Sequence, residues 1–196
     1  MTHVIDADGH LLEPPTIWED YTEPAYRSEV IQIAKDKRGI DCLKINGELR
    51  QDKNMAIAAA CTPGGMSDAQ KARTMSWDEI VPGGYDPAQR QKDMDLEGIE
   101  IAFFYPTLWL IYGDITNADV AAASCRAYNN WLADFCKQCP SRFYGVAPLP
   151  LQSVDCAIAE MRRVVKTLGM RAVFVRPNPF NGRRLNDPAY EPFWSE

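Results

Sequence analysis

No stretch of this chain approaches the roughly 20 consecutive apolar residues of a membrane-spanning helix, and its opening, MTHVIDADGH, has neither the basic leader nor the long apolar core of a secretory signal. The expectation is a cytoplasmic protein with no membrane partner. Basic residues are outnumbered, with 21 Lys and Arg against 27 Asp and Glu for a net charge of −6, and no basic run is interleaved with aromatics. A nucleic-acid backbone finds no footprint on such a chain, so no nucleic-acid partner is expected. Histidine is scarce: only His3 and His10 are present. Six cysteines are an even number, but a chain of this kind has no need of staples, and free thiols are expected. Cys136 and Cys139 form a CxxC late in a helical pattern, with no second CxxC and no histidine nearby, which favours packing over zinc or redox chemistry.

With 196 residues the chain is long enough for one core. Strand and helix patterns alternate along its second half. Asp86-Pro87 reads as N-cap and first helical residue, AQRQKDMDLE as good helix formers, and Gly98 as the stop. The run EIAFFYP follows as a strand. TNADVAAASCRAYNNWLADFCKQCP then places Val120, Ser124, Ala127, Trp131 and Phe135 on one helical face, opening on Thr-x-x-Asp. FYGVAPL is the next strand, and SVDCAIAEMRRVVKTLG starts at Ser153, stops at Gly169 and lines up Val154, Ile158, Met161, Val165 and Leu168. RAVFVRP is the fourth strand. Short, almost wholly apolar strands between helices predict an α/β fold with a parallel sheet, either doubly wound or built from units of a (β/α)8 barrel. The absence of GxGxxG after the first strand disfavours a dinucleotide site.

Residues 11–85 form a long insertion after the first strand. Two Pro-rich pieces, LLEPPTIWEDYTEP and TPGGMSDAQKARTMSWDEIVPGG, flank a predicted hairpin in which GIDCLKI turns through Asn46-Gly47 into GELRQ. A segment of this length above a strand end reads as a lid or a subunit contact, against the alternative of a solvated excursion.

The segment VIDADGH carries the densest chemistry. Side chains alternate along a strand, so Asp6, Asp8 and His10 are expected to point the same way. A carboxylate and an imidazole two residues apart can share one divalent ion. The competing reading is an Asp-Gly turn with a capping acid and a satisfied histidine.

VIDADGHLLEP, then GGYDPAQRQKDMDLEGIEIAFFYPT, then RAVFVRPNP followed by LNDPAYEPFW, together resemble the amidohydrolase superfamily, in the branch that includes aminocarboxymuconate-semialdehyde decarboxylase and the resorcylate decarboxylases. The resemblance implies a (β/α)8 TIM-type barrel and one divalent metal ion, with Asp8 and His10 at the positions of the HxH-type pair that ends the first strand. Zinc is the expected ion; an oxygen donor in place of the first histidine makes a harder site, in which manganese or magnesium compete. The resemblance further implies a decarboxylase (carboxy-lyase) or a hydrolase acting on a small carboxylic acid.

Three residues are candidates for substrate binding. Arg176 ends the strand AVFV beside the stiff Pro177, where its fork of donors suits a carboxylate, although a surface ion pair is an equally simple role. Asn178 is its companion. Trp109, in TLWLIYGD, is a candidate wall of an aromatic pocket or a packing residue.

A closed barrel needs eight strands, and only four βα units are counted here. The resemblance implies a third metal-binding histidine from a fifth strand, a later catalytic histidine and an aspartate near the last strand, and no residue here aligns with them. The chain therefore reads as the N-terminal half of an enzyme, expected to self-associate as a homo-oligomer or to pair with a complementing C-terminal half. The alternatives are a non-catalytic α/β binding or interaction module and a thiol redox protein built on Cys136 and Cys139.

Overall fold

The computed structural model describes residues 4–54 and 74–196. His3, Cys61 and the part of the second Pro-rich piece before residue 74 lie outside the described residues. Four strands, β1 (Val4–His10), β5 (Ile99–Tyr105), β6 (Phe143–Pro148) and β7 (Ala172–Phe174), form one parallel sheet in the order β1-β5-β6-β7. Consecutive strands are neighbours and helices fill the crossovers: the parallel sheet is the one the apolar strand pattern predicted, and its half-barrel of βα units is what the family resemblance implied.

The crossover helices owe their limits to local chemistry. In α2 (Pro87–Glu97) the Asp86 carboxylate accepts the Gln89 N–H at 2.8 Å, and Gly98 stops the helix at φ 69°, a conformation that costs glycine little. In α3 (Ala118–Cys136) the cap is Asn117, not the Thr116 expected from Thr-x-x-Asp: its side-chain oxygen accepts the N–H groups of Asp119 and Val120. Val120, Ser124, Ala127, Trp131 and Phe135 are all buried, so that helical face is as expected. In α4 (Val154–Lys166) Ser153 is the cap, but the buried face runs through Ala157, Glu160 and Val164, while Val165 is 51% exposed. Val154, Ile158, Met161 and Leu168 of the expected stripe pack partly buried against the same core, and beside them Glu160 accepts from Asn129 of α3 at 2.7 Å and from the Arg163 guanidinium.

The fourth strand is shorter than its sequence run, three residues instead of seven. In β5 the alternation is clear: Ala102 and Phe104 are buried beneath the helices, while Ile101, Phe103 and Tyr105 are partly exposed on the inner face. Phe104 meets Phe135 and Phe143 edge-on, at centroid distances of 5.6 and 5.2 Å.

The described part of the insertion is folded onto this body. It holds a short helix α1 (Ile17–Tyr21) and an antiparallel sheet of β2 (Gln32–Lys35), β3 (Asp41–Ile45) and β4 (Glu48–Asn54). The β3–β4 turn is the expected Asn46-Gly47, both at positive φ. The Asn46 side chain donates to the Asp114 carbonyl at 2.8 Å and accepts the Thr116 N–H at 3.2 Å, and Trp18 packs 4.7 Å from Trp109.

β6 crosses α3 at Gly145, where a Cβ would sit 2.8 Å from the Leu132 side chain. Gly145→Ala is expected to cost about 1–3 kcal/mol, the range for overpacking a core, measured by urea unfolding; an unchanged midpoint would mean that Leu132 yields freely.

Candidate metal centre

β1 is not a regular strand. Its pairing with β5 runs Asp6 to Ala102 but Gly9 to Phe104, so β1 carries one extra residue between Asp6 and Gly9. That bulge breaks the simple alternation expected for Asp6, Asp8 and His10. The Asp6 carboxylate turns back to accept the Asp8 N–H at 3.0 Å, and Gly9 is buried where a Cβ would meet Asp6 Oδ2 at 2.9 Å and the Phe103 carbonyl at 3.1 Å. Asp8 is left with its side chain 88% exposed, and His10 with 33%.

Asp8 and His10 nevertheless converge, with Oδ1 and Nε2 4.0 Å apart. Two donors at about 2.0–2.2 Å from one ion lie at most about 4.4 Å apart, so the pair can share an ion with only a turn of the exposed Asp8 side chain. The other ring nitrogen, Nδ1, lies 3.2 Å from Thr107 Oγ1, and the His10 carbonyl accepts from Arg90 Nη2 at 2.6 Å. The backbone of His10 is therefore held by Arg90 and its ring by Thr107, with Nε2 toward Asp8. Among the described residues no group of three or more His, Cys, Asp or Glu side chains converges as a metal site.

A row of rings extends from His10 across the strand ends. Tyr105 of β5 lies 6.3 Å from the imidazole, Phe174 of β7 lies edge-on 5.9 Å from Tyr105, and Tyr112 lies 6.2 Å from Phe174. Tyr105 and Phe174 are only partly buried. Sequence reasoning missed both because they read as ordinary strand residues. Arg176 stands two residues beyond β7, its guanidinium donating to the Leu110 carbonyl, and Asn178 is exposed beyond it. Trp109 is corrected from pocket wall to packing residue: it is 0% exposed, between Trp18, Tyr112 and Tyr128.

Glu13 was also missed. It is fully buried, and its carboxylate accepts three successive backbone N–H groups, from Thr107 at 3.1 Å, Leu108 at 2.8 Å and Trp109 at 3.0 Å, at the start of the 3-10 segment Leu108–Asp114. The only sequence signal was an acid lodged between a Leu pair and a Pro pair. The CxxC shows no reactive thiol: burial pushes Cys136 up to about 12, and Cys139 is buried.

Burial also pushes the Glu13 carboxyl from its usual 4.5 up to about 7, against the pull of the N–H groups around it. The folded chain thus holds this proton more tightly than the unfolded one. That contribution to stability is complete below about pH 4.5 and is lost as the pH rises through about 7. Between pH 5 and pH 8 the chain is expected to lose roughly 2–3 kcal/mol relative to Glu13→Gln in urea unfolding. Parallel pH profiles for the two proteins would refute the shift.

Comparison with known proteins adds to this geometry. The sequence is 30% identical over 171 residues to gamma-resorcylate decarboxylase of Rhodococcus jostii, covering 78% of this chain and 47% of that protein. Among solved structures, an amidohydrolase of Mycobacterium avium subsp. paratuberculosis superposes with a TM-score of 0.73 at 21% identity, covering 98% of this chain and 54% of the other. A 5-carboxyvanillate decarboxylase of Novosphingobium aromaticivorans, solved with manganese and 3-methoxy-4-hydroxy-5-nitrobenzoic acid, superposes with a TM-score of 0.62 at 20% identity, covering 98% and 47%. The chain spans about half the length of the relatives it matches. No helix among the described residues is long and apolar enough to cross a membrane. A family model described as amidohydrolase matches residues 5–196, nearly the whole chain, and the chain belongs to that family.

Proposed function

We propose that this chain supplies the first-strand metal ligands and one wall of the substrate site of a metal-dependent decarboxylase acting on a small aromatic carboxylic acid. The observation that carries the reading is the convergence of Asp8 Oδ1 and His10 Nε2 at the carboxyl end of β1, with the row of Tyr105 and Phe174 beginning beside them. The decarboxylase branch is favoured over hydrolysis because the curated relative with the highest identity given above decarboxylates an aromatic acid.

Asp8 and His10 hold the ion in this reading. Manganese replaces the zinc expected from sequence: one carboxylate among the donors makes the site hard, and manganese is the ion in the carboxyvanillate enzyme. A divalent ion at this place supplies Lewis-acid chemistry toward a carboxylate or phenolate oxygen. Tyr105 and Phe174 give an aromatic ring two partly exposed faces or edges to lie against. Arg176 has one of its five donors committed to Leu110, which fixes the plane of its fork, and its charge serves a substrate carboxylate, with Asn178 as a second donor. Proton transfer to carbon falls to residues outside these four strands. The partner that fits is a complementing half or a second copy, because Val4 and Ile5 on the outer strand β1 are 44% and 55% exposed.

The test is manganese binding by the chain and, with the complementing half supplied, manganese-dependent release of carbon dioxide from gamma-resorcylate, with Asp8→Ala and His10→Ala as controls. Each substitution is expected to weaken manganese binding at least tenfold; stoichiometry and affinity equal to the parent's in both variants would remove the assignment. Where turnover is measured, Arg176→Lys keeps the charge but loses the fork. It is expected to lower kcat/KM by roughly 1–3 kcal/mol of transition-state binding, and parental kinetics would return Arg176 to a structural role.

A further inference from the structure

We infer that Glu13 is a positioning residue for His10, holding the imidazole through the Thr107 turn so that Nε2 is presented to the ion. The inference rests on the reading of His10 as a ligand.

The Glu13 carboxylate is fully buried and reaches a segment more than 90 residues away in sequence. Its Oε1 accepts from Thr107 and Trp109, its Oε2 from Leu108. A buried carboxylate is an expensive way to satisfy a turn, since an apolar residue of similar volume often gives equal or better stability, and a local Ser or Asp serves as a cap. What the long-range carboxylate adds is geometry. It fixes three consecutive peptide planes, so the backbone of Thr107 has no freedom to swing. Thr107 is also the residue whose Oγ1 meets His10 Nδ1 at 3.2 Å.

The other restraints on the histidine come from different elements. Arg90 of α2 donates to its carbonyl, and the bulge at Gly9 fixes its backbone against Phe103 and Phe104. These hold the main chain of His10, but only Thr107 is seen at the ring's Nδ1. A ligand histidine whose Nδ1–H donates to an oxygen carries its lone pair on Nε2, the nitrogen that faces Asp8. The path is thus two links long, from carboxylate to peptide and from hydroxyl to imidazole. Moving Thr107 by a few tenths of an ångström frees both the tautomer and the rotation of the ring.

The experiment uses the whole chain labelled with 15N-histidine. Because His3 and His10 are the only two histidines, His3→Gln assigns the signals. Ring-nitrogen shifts without metal report tautomer and hydrogen bonding, and Mn2+ binding is followed by water-proton relaxation. Glu13→Gln and Thr107→Val are each expected to shift the His10 nitrogens away from the Nδ1–H form and to weaken Mn2+ binding about tenfold or more. Glu160→Gln removes another buried carboxylate, one bonded to Arg163 and Asn129, and is expected to lower stability while leaving both readouts at parental values.

Parental nitrogen shifts and Mn2+ binding in Glu13→Gln would overturn the proposal whatever happened to stability. Should that variant not fold, Glu13→Asp, which keeps the carboxyl group and withdraws it by one methylene, is read in the same two ways. If His10→Ala binds Mn2+ as the parent does, the metal reading fails, whereas the nitrogen shifts still decide whether Glu13 orients the ring.

Discussion

The extra residue in β1 is the constraint on which the candidate site depends. A regular strand paired to β5 would send Asp6, Asp8 and His10 to one side in a row. With the bulge, Asp6 is consumed by the Asp8 N–H, Gly9 is pressed against the β5 backbone, and Asp8 stands out into solvent opposite the His10 ring. Glycine is required at position 9 because any Cβ would meet the Asp6 carboxylate and the Phe103 carbonyl at or below 3.1 Å. A second irregularity between Val4 and Ile5 restores the register, so the deformation stays local and β1 still runs parallel to β5.

Around that strand end the polar contacts are long in sequence and short in space. Arg90 comes from the first crossover helix, Thr107 from the turn after β5, and Glu13 from the start of the insertion. Each carries a different part of the task. Arg90 donates to and holds a carbonyl, Thr107 meets a ring nitrogen, and Glu13 gathers the N–H groups of the turn. The insertion is consequently part of the site's frame: its first residues bury the carboxylate, α1 covers Trp109 with Trp18, and the Asn46 turn fastens to Asp114 and Thr116.

What was legible in the sequence was local. Asp86-Pro87 with Gly98, and Asn46-Gly47, announce their structures because the deciding hydrogen bonds and φ angles lie within four residues. The parallel sheet with its crossover helices was legible through the rhythm of apolar runs. The burial of Glu160 in α4 was not, because it depends on pairing with Asn129 and Arg163, and hydrophobic periodicity cannot see such a pair. Asn117 displaced Thr116 as a cap within one residue, a margin that sequence preference does not resolve. Trp109 was misplaced because a large aromatic after a strand serves equally as core or as wall until its neighbours are known. The bulge and the role of Glu13 were illegible for one reason: the first is a property of β1 against β5, the second of the segment after β1 against the turn after β5, and nothing within one segment alone encodes either.

The rings complete the logic of the half-site. The inner face of a parallel barrel is normally filled with aliphatic layers, yet here the line from His10 through Tyr105, Phe174 and Tyr112 to Phe180 is aromatic at every step. Packing alone does not demand this, since the helix side of the same strands already holds its own aromatic cluster in Phe104, Phe135 and Phe143. Aromatic edges and faces attract a planar ring more than they attract an aliphatic chain of equal area, and they do so without a charge that would compete for the ion. On the proposed reading, donors at one end, the partly exposed Tyr105 and Phe174 in the middle and a guanidinium beyond β7 would sort a ligand by three properties together: an oxygen that can meet a cation, a planar body, and an anionic group for Arg176.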